Sequence, residues 1–180
     1  MKIVKKLILE IEYIFLNCFV NNIPLWIVRK LLYQLLGMKI GKGSRILMHC
    51  RVYSPRKIAI GNNTMINECC YLDGRGGIII GSNVTIATYA KLITGSHNID
   101  DNAFGYCDSP ILIEDNSAVF SASVVLGGAV LRKGCVISAM SLVRKGEYNK
   151  CGIYGGNPAK YIRDRKSNVS YQQCGLTIFR

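Results

Sequence analysis

The sequence predicts an all-β protein built as a parallel β-helix, with α-helices before it and an extension after it. Between residues 113 and 145 every sixth residue is aliphatic, and the side chain four positions after each of the first five is small. A period of six fits neither the 3.6-residue repeat of a helix nor the alternation of a plain strand. Hexapeptide self-similarity is typical of a parallel β-helix, in which each six-residue word forms a short strand on one face of a triangular prism.

The aliphatic positions keep the same phase through most of the chain, and they are expected to point into the prism. They are Ile40, Ile46, Val52, Ile60, Ile66, Leu72, Ile80, Ile86, Leu92, Ile113, Val119, Val125, Leu131, Ile137 and Val143. Three words, or eighteen residues, complete one turn, and the turns beginning at 40, 60, 80, 113 and 131 are 20, 20, 33 and 18 residues apart. The fifteen-residue excess follows His97 and predicts an external loop over residues 98–112, and loops of this kind tend to be functional.

The phase divides the chain into three parts. Residues 1–38 are predicted to be an amphipathic helical region, residues 39–148 the β-helix, and residues 149–180 a C-terminal motif with a loosely held tail. Pro24 is expected to open the second helix of the first part, and Gly37 to close it. The helical pair is expected either to pack against the prism or a neighbouring subunit, or to lie on a membrane surface as a cationic anchor. It contains no uncharged apolar run long enough to span a membrane.

Composition narrows the class of function. The chain has 23 Lys and Arg against 11 Asp and Glu, a formal charge of +12, which suits nucleic acid, an anionic membrane or a polyanionic small ligand. The basic residues are scattered except at the two ends, and no nucleic-acid-binding module is recognisable, so nucleic acid is disfavoured. The eight cysteines include no CxxC pair, which favours free thiols in a reducing, cytoplasmic compartment and no metal site.

His97 is the candidate general base, because an imidazole can take a proton from a hydroxyl at neutral pH. Adjacent turns of a β-helix stack about 4.8 Å apart, so Asn67 or Asp73 on one turn is expected within reach of His97 on the next. Arg75 either binds an anionic substrate or lies free on the surface. The other histidine, His49, is expected to be an ordinary surface residue.

Two further groups of residues have alternative interpretations. Phe104 and Tyr106 in the predicted loop either wall an acceptor pocket or fix the loop to the scaffold. Basic residues beside the glycine-rich turn near residue 155 would suit phosphates, or else form a solvated tail. This second group contains Arg144, Lys145, Lys160 and Arg163.

The hexapeptide words, together with DGRGG at 73–77, TGSHN at 94–98 and YGGNPAKYIRDR at 154–165, resemble those of the hexapeptide-repeat O-acetyltransferases. The similarity covers roughly residues 25–166 and is greatest to the branch that acetylates sugars of exopolysaccharide, capsule and O-antigen. It implies a left-handed parallel β-helix that forms a homotrimer and transfers acetyl from acetyl-CoA without a metal. By the same resemblance His97 deprotonates the acceptor.

The resemblance also implies roles for the binding residues. Asn67, Asp73 and Arg75 would meet the saccharide acceptor. The remaining assignments concern coenzyme A: its pantetheine arm would pass Ser121 and Ala139, and its phosphates would meet Arg144, Lys145, Lys160 and Arg163. Phe120 and Met140 are large where the family often has glycine.

Three other functions are weighed against this one. A γ-class carbonic anhydrase shares the prism but requires three histidines around zinc, and the chain has two. An acetyltransferase for serine or a xenobiotic would carry much the same final motif. A non-catalytic β-helix scaffold in a polysaccharide-assembly complex would not bind acetyl-CoA.

Overall fold

The computed structural model describes residues 2–167, 169 and 171, and the side chains among them from Leu7 onward. Helix α1 spans Lys2–Ile14 and continues as a π-helical turn over Phe15–Phe19 and a 3-10 turn over Val20–Asn22. Helix α2 spans Trp26–Leu35, and Gly37 ends it in a left-handed conformation with φ of 90°. The remaining tail residues, with Cys174, lie outside the described part of the chain.

Twenty short strands follow the helices. In chain order they are β1 (Lys39–Ile40), β2 (Arg45–Ile46), β3 (Arg51–Tyr53), β4 (Ile58–Ile60), β5 (Met65–Ile66), β6 (Tyr71–Asp73), β7 (Ile78–Ile80), β8 (Thr85–Ile86), β9 (Lys91–Ile93), β10 (Gly95–His97), β11 (Tyr106–Asp108), β12 (Ile111–Ile113), β13 (Ala118–Val119), β14 (Val124–Leu126), β15 (Ala129–Leu131), β16 (Val136–Ile137), β17 (Leu142–Val143), β18 (Gly146–Tyr148), β19 (Gly152–Gly155) and β20 (Lys160–Asp164).

These strands form the three faces of a left-handed parallel β-helix of about six turns. The first sheet is ordered β1-β4-β7-β12-β15-β18, the second β2-β5-β8-β13-β16-β19-β20, and the third β3-β6-β9-β14-β17. In the first sheet Ile40 pairs with Ile60, Ile60 with Ile80, Ile80 with Ile113 and Ile113 with Leu131. The spacing of 20, 20, 33 and 18 residues predicted from the aliphatic phase is therefore the observed register.

The core is the stack of aliphatic side chains that point into the prism. All fifteen of the predicted positions are buried, and the most exposed of them, Ile40, has a relative exposure of 8%. In the words of the first and second sheets the residue four positions later is also buried, and several of these small side chains donate a hydrogen bond to the next turn. Thr64 Oγ1 donates to the Gly81 carbonyl at 2.8 Å, and Ser123 Oγ to the Ser138 carbonyl at 2.8 Å. A small residue therefore both permits the turn and links neighbouring turns.

The N-terminal helices close the open edge of the first turn. The Asn17 side chain behaves as a neighbouring strand would, accepting from Val52 N at 2.8 Å and donating to the Val52 carbonyl at 3.0 Å. Buried Arg29 donates to the Ile46 carbonyl at 3.0 Å, and Asn21 donates to the Cys50 carbonyl. These contacts satisfy backbone groups that an edge strand would otherwise present to another chain. The expected packing of this region against the prism is confirmed.

Much of the surface of the same helices is apolar and exposed. Its exposed side chains are Leu7, Ile8, Leu9, Ile11, Ile14, Phe15 and Phe19 around α1, and Leu25, Ile27, Val28, Leu31 and Leu35 around α2. Within the described part of the chain, no helix combines the length and hydropathy needed to cross a membrane.

The β-helix ends with a reversal of chain direction. The parallel ladder continues beyond residue 148, where the prediction ended it, because β19 pairs in parallel with β16. Strand β20 then pairs antiparallel with β19 and completes the second sheet. The conspicuous motif at 154–165 is therefore the final strand pair of the solenoid.

Candidate active site

The predicted external loop is largely a β-hairpin at the corner where the third sheet leads to the first sheet of the next turn, called the third corner below. Strand β10 pairs antiparallel with β11, so that His97 lies opposite Tyr106. The hairpin follows β9 of the third turn, and β9 lies between β6 and β14 in the third sheet. Its geometry exposes His97 to solvent.

The imidazole of His97 is held on three sides. Its Nδ1 lies 2.8 Å from the carbonyl oxygen of Phe104. The Phe104 ring stacks on it with centroids 4.7 Å apart and planes 5° apart, and the Tyr106 ring meets it edge-on at 5.8 Å. A carbonyl oxygen can only accept a hydrogen bond, so Nδ1 carries the proton and Nε2 keeps its lone pair. The group can therefore accept a proton at Nε2.

Asp73 and Arg75 form the floor of the same corner. Arg75 donates to both carboxylate oxygens of Asp73, from Nε at 2.8 Å and from Nη2 at 2.9 Å, and Gly95 N donates to Asp73 Oδ2 at 2.9 Å. Burial by itself raises the pKa of Asp73, but these hydrogen bonds outweigh it and hold the pKa below its usual range. The same pairing raises the pKa of Arg75.

Asp73 has no exposed surface, since its relative exposure is 0%. We therefore assign it the positioning of Arg75 and of the first hairpin strand, in place of the direct acceptor contact expected from the sequence. The reason is that Gly95 N and the Arg75 fork occupy both of its oxygens.

The exposed group at this corner is Arg75. Its guanidinium lies 5.6 Å from the centroid of the Tyr53 ring and 5.5 Å from that of Tyr106. Tyr106 thus contacts both Arg75 and His97. The two aromatic residues of the loop both contact the imidazole, a role that neither predicted alternative described. Tyr53 was missed in the sequence, because an aromatic residue at the end of one strand gives no sign of a cationic partner on the next turn.

Asn67 lies elsewhere. It follows β5, at the corner between the second and third sheets, called the second corner below, and its Nδ2 donates to the Ile86 carbonyl at 3.1 Å. The expected proximity of Asn67 to His97 within one chain is wrong. Asn67 follows the second strand of its turn, whereas His97 follows the third strand of the next turn. Successive strands lie on different faces of the prism, so the two residues lie at different corners.

Ser121 and Ala139 share the second corner with Asn67. Both are exposed, and the Ser121 carbonyl accepts from Met140 N at 2.9 Å. Around them the corner exposes Tyr89, Phe120 and Met140, the last with 79% of its surface accessible. The second corner is therefore an apolar column that runs along the prism, separate from the histidine.

The four predicted phosphate-binding residues lie near the C-terminal end of the solenoid. Arg144 and Lys145 follow β17 at the third corner and line a cavity of about 270 Å³ with Gly95, Ser96 and Cys107. Lys160 and Arg163 are exposed on β20. Arg144 and Lys145 therefore share a cavity with the hairpin strand that carries His97, a proximity that the sequence did not predict.

Within residues 2–167, 169 and 171, the cysteine and acidic side chains do not form a metal-binding site. No cluster of three or more His, Cys, Asp or Glu in that part of the chain could hold an ion. The seven cysteines described there are free.

Known proteins share this architecture. WcaF of Escherichia coli K12, provisionally named a colanic acid biosynthesis acetyltransferase, is 31% identical over 137 residues, which cover 76% of this chain and 75% of WcaF. A hexapeptide-repeat acetyltransferase of Vibrio cholerae, solved with acetyl-CoA, superposes with a TM-score of 0.77 at 28% identity, covering 84% of each chain. The chain belongs to the hexapeptide-repeat acetyltransferase family. No family model matches it.

A further solved structure supports the fold alone. The maltose O-acetyltransferase of Clostridium difficile 630 has a TM-score of 0.71 at 24% identity, over 84% of this chain and 83% of that one. As a hexapeptide-repeat acetyltransferase, the chain is an enzyme whose reaction is acyl transfer.

Proposed function

We propose that this chain transfers an acetyl group from acetyl-CoA to a hydroxyl of a saccharide, a unit of exopolysaccharide, capsule or O-antigen, with His97 as the general base. The observation that carries the proposal is the hydrogen bond from His97 Nδ1 to the Phe104 carbonyl. It leaves Nε2 unprotonated on an exposed hairpin, in a chain that belongs to an acetyltransferase family.

His97 removes the proton of the acceptor hydroxyl at Nε2 as the hydroxyl oxygen forms its bond to the acetyl carbonyl carbon. The carbon–sulfur bond then breaks, and the imidazolium returns the proton to the departing thiolate of coenzyme A. The Phe104 carbonyl stabilises the imidazolium, because it accepts from the protonated ring. General-base catalysis of this kind contributes roughly 10²–10⁴-fold. A backbone N–H would stabilise the oxyanion.

Acetyl-CoA is proposed to lie along the C-terminal half of the solenoid. Arg144 and Lys145, beside the hairpin, suit its phosphates, and Lys160 and Arg163, which are exposed on β20, would supply further positive charge. The pantetheine arm would pass Ser121 and Ala139 on the second corner. The exposed rim there, which includes Phe120 and Met140, offers an apolar surface for such an arm.

The acceptor is proposed to bind at Arg75, whose guanidinium is open to solvent between two tyrosine rings. Asn67 is proposed to reach the acceptor from another subunit of a homotrimer. The support for this arrangement is that the second corner carries Asn67 while the third corner carries His97. A neighbouring chain that set one corner against the other would complete the site.

The enzyme is proposed to work in the cytoplasm, at the inner face of the membrane. The free thiols of the seven described cysteines agree with a reducing compartment. The exposed apolar side chains of α1 and α2 support peripheral contact with lipid. Sedimentation with anionic vesicles tests this contact, and the wild-type chain should sediment while a variant with Ile27→Asp and Leu31→Asp should remain in solution.

The proposal is tested by incubating the purified chain with acetyl-CoA and a panel of nucleotide sugars and oligosaccharides, followed by mass spectrometry. A gain of one acetyl group on a saccharide hydroxyl is expected. Acetylation confined to serine or to xenobiotic hydroxyls would overturn the saccharide assignment. Calorimetry that detects no acetyl-CoA binding would instead favour a scaffold in a polysaccharide-assembly complex.

A further inference from the structure

A groove runs from beneath α1 to the third corner, and we call it the α1 groove. Its inner part is a cavity of about 520 Å³ walled mainly by apolar side chains, among them Leu9, Tyr13, Ile14, Val52, Tyr53 and Pro55. Its outer part, of about 360 Å³, is lined by Leu9, Arg56, Lys57, Arg75, Tyr106 and Asp108. Leu9, Ser54 and Arg75 line both parts, so the two form one continuous depression.

The outer end of the α1 groove reaches the candidate general base. Tyr106, which lines the outer part, meets the His97 ring edge-on at 5.8 Å. Arg75 lies between Tyr106 and Tyr53, with its guanidinium within 5.6 Å of each ring centroid. Only the side chains of Arg75 and Tyr106 therefore lie between the inner part of the groove and the position of the reacting hydroxyl at His97.

We propose that the α1 groove holds the hydrocarbon chain of an amphiphilic acceptor, so that the substrate is a lipid-linked saccharide. This inference rests on the proposed function and names the class of its acceptor. Leucine, isoleucine, valine and aromatic side chains line the inner part. A free sugar would not need such an apolar surface, whereas a hydrocarbon chain would be buried against it. Its volume lies within the range of roughly 300–1,000 Å³ typical of small-molecule pockets. Continuity with His97 argues that one molecule spans both parts.

The polarity of the two parts matches the two ends of such a molecule. The inner end is mainly apolar, and of its two acidic residues, Glu10 and Glu12, Glu12 is paired with Arg56. The outer end carries Arg75 and Lys57, whose Nζ donates to the neutral carbonyl of Arg75 at 2.7 Å. A hydrocarbon chain would thus lie against Leu9 and Ile14, and its polar head would face the cations and His97.

The surface of a lipid bilayer is the alternative apolar partner. The geometry favours its contact with another part of the protein, the outer face of α2. The α1 groove lies between a helix and the prism, where a flat lipid surface does not enter. Ile27, by contrast, is 77% exposed on the outer face of α2 and does not line the groove. Leu9 and Ile27 therefore form a matched pair for a test.

The test compares octyl β-glucoside, below its micelle concentration, with methyl β-glucoside by calorimetric titration of the full chain. Each methylene removed from water strengthens binding by about fourfold, so the octyl glycoside should bind at least about tenfold more tightly. Equal binding of the two glycosides would overturn the proposal.

Three variants locate the binding. Leu9→Asp, which introduces charge into the α1 groove, and Leu9→Trp, which fills it, should each abolish the octyl preference. Ile27→Asp should retain it. The proposal would be overturned if the octyl preference survived both Leu9 substitutions, or if Ile27→Asp removed it equally. Either result would place the octyl group on the outer helix face. Leu9 is half-exposed, and thermal melting checks that the Leu9→Trp chain keeps its fold.

Acetyl transfer provides a separate readout. Equal transfer to methyl and octyl acceptors would overturn the α1 groove proposal while leaving the proposed function intact. Selective octyl binding in a chain that never transfers acetyl would support the groove and count against the proposed function.

Discussion

The ring of Phe104 stacks face to face on His97, and the backbone carbonyl of the same residue accepts from His97 Nδ1 at 2.8 Å. One residue therefore sets both the plane of the imidazole and its tautomer. The two contacts can be separated by mutation, since the carbonyl belongs to the backbone and the ring to the side chain.

Phe104→Ala should lower kcat by roughly two- to tenfold, because a stacked aromatic pair contributes about 0.5–1.5 kcal/mol while the carbonyl contact remains. Steady-state kinetics measure the change. Ile99→Ala, an exposed aliphatic position in the same hairpin region, is the control and should leave kcat unchanged. A loss of a thousandfold in Phe104→Ala would show that the ring, and not the carbonyl, orients the base.

Asp73→Asn should destabilise the chain by about 1–3 kcal/mol at pH 7, since it removes charged hydrogen bonds from Arg75 and Gly95. The folded-state pKa of Asp73 lies below its unfolded value of about 3.9. The ion pair therefore contributes stability that is complete above the unfolded pKa and is lost as pH falls through the folded one.

Denaturant unfolding of wild type and Asp73→Asn at pH 7 and pH 3 measures this difference. It should shrink at the lower pH, because pH 3 lies below the unfolded pKa of the carboxyl. Asp100→Asn makes the same change at an exposed hairpin position and should have little effect at either pH. An undiminished difference at pH 3 would contradict the assigned shift.

Arg144→Ala combined with Lys145→Ala should raise the KM for acetyl-CoA by roughly 10–100-fold, because each charged hydrogen bond to a phosphate contributes about 1.5–3 kcal/mol and exposure reduces this. The same variant should use acetyl-pantetheine, which lacks the phosphates, as well as wild type does. Lys39→Ala, an exposed cation on the first turn, is the control. A parallel loss with acetyl-pantetheine would place these cations at the acceptor or in the fold.

Leu92→Ala should cost about 2–5 kcal/mol of unfolding free energy, because Leu92 is fully buried in the aliphatic stack. Ile79→Ala provides the matched control, since Ile79 lies on β7 of the same turn but points outward with 53% of its surface exposed. Urea unfolding compares the two. Equal losses would mean that the six-residue phase does not define the interior.

The register of the solenoid could be predicted because one local rule repeats at every turn. Each aliphatic side chain pointing inward must stack on the next, so the phase that relates Ile80 to Ile113 survives an insertion of fifteen residues. The end of the solenoid was less clear. Tyr148 and Tyr154 replace the aliphatic residues of the last turn, and the prediction accordingly ended the β-helix too early.

The site was only partly predictable, because its contacts do not repeat. His97 stood out as a titratable residue at the longest break in phase, but nothing in the spacing indicates that Phe104 lies against it. Asp73 was assigned to the acceptor through the family resemblance, whereas its pairing with Arg75 and Gly95 buries it. Asn67 was placed by its distance along the chain, which ignores the change of face between successive words.

The central claim is that His97 is the general base, and the most direct test compares the two histidines of the chain. Acetyl transfer from acetyl-CoA to the best saccharide acceptor should fall at least about 100-fold in His97→Ala and remain unchanged in His49→Ala. Both variants should bind acetyl-CoA as wild type does in a calorimetric titration. Near-normal transfer by His97→Ala, with acetyl-CoA binding intact, would contradict the mechanism.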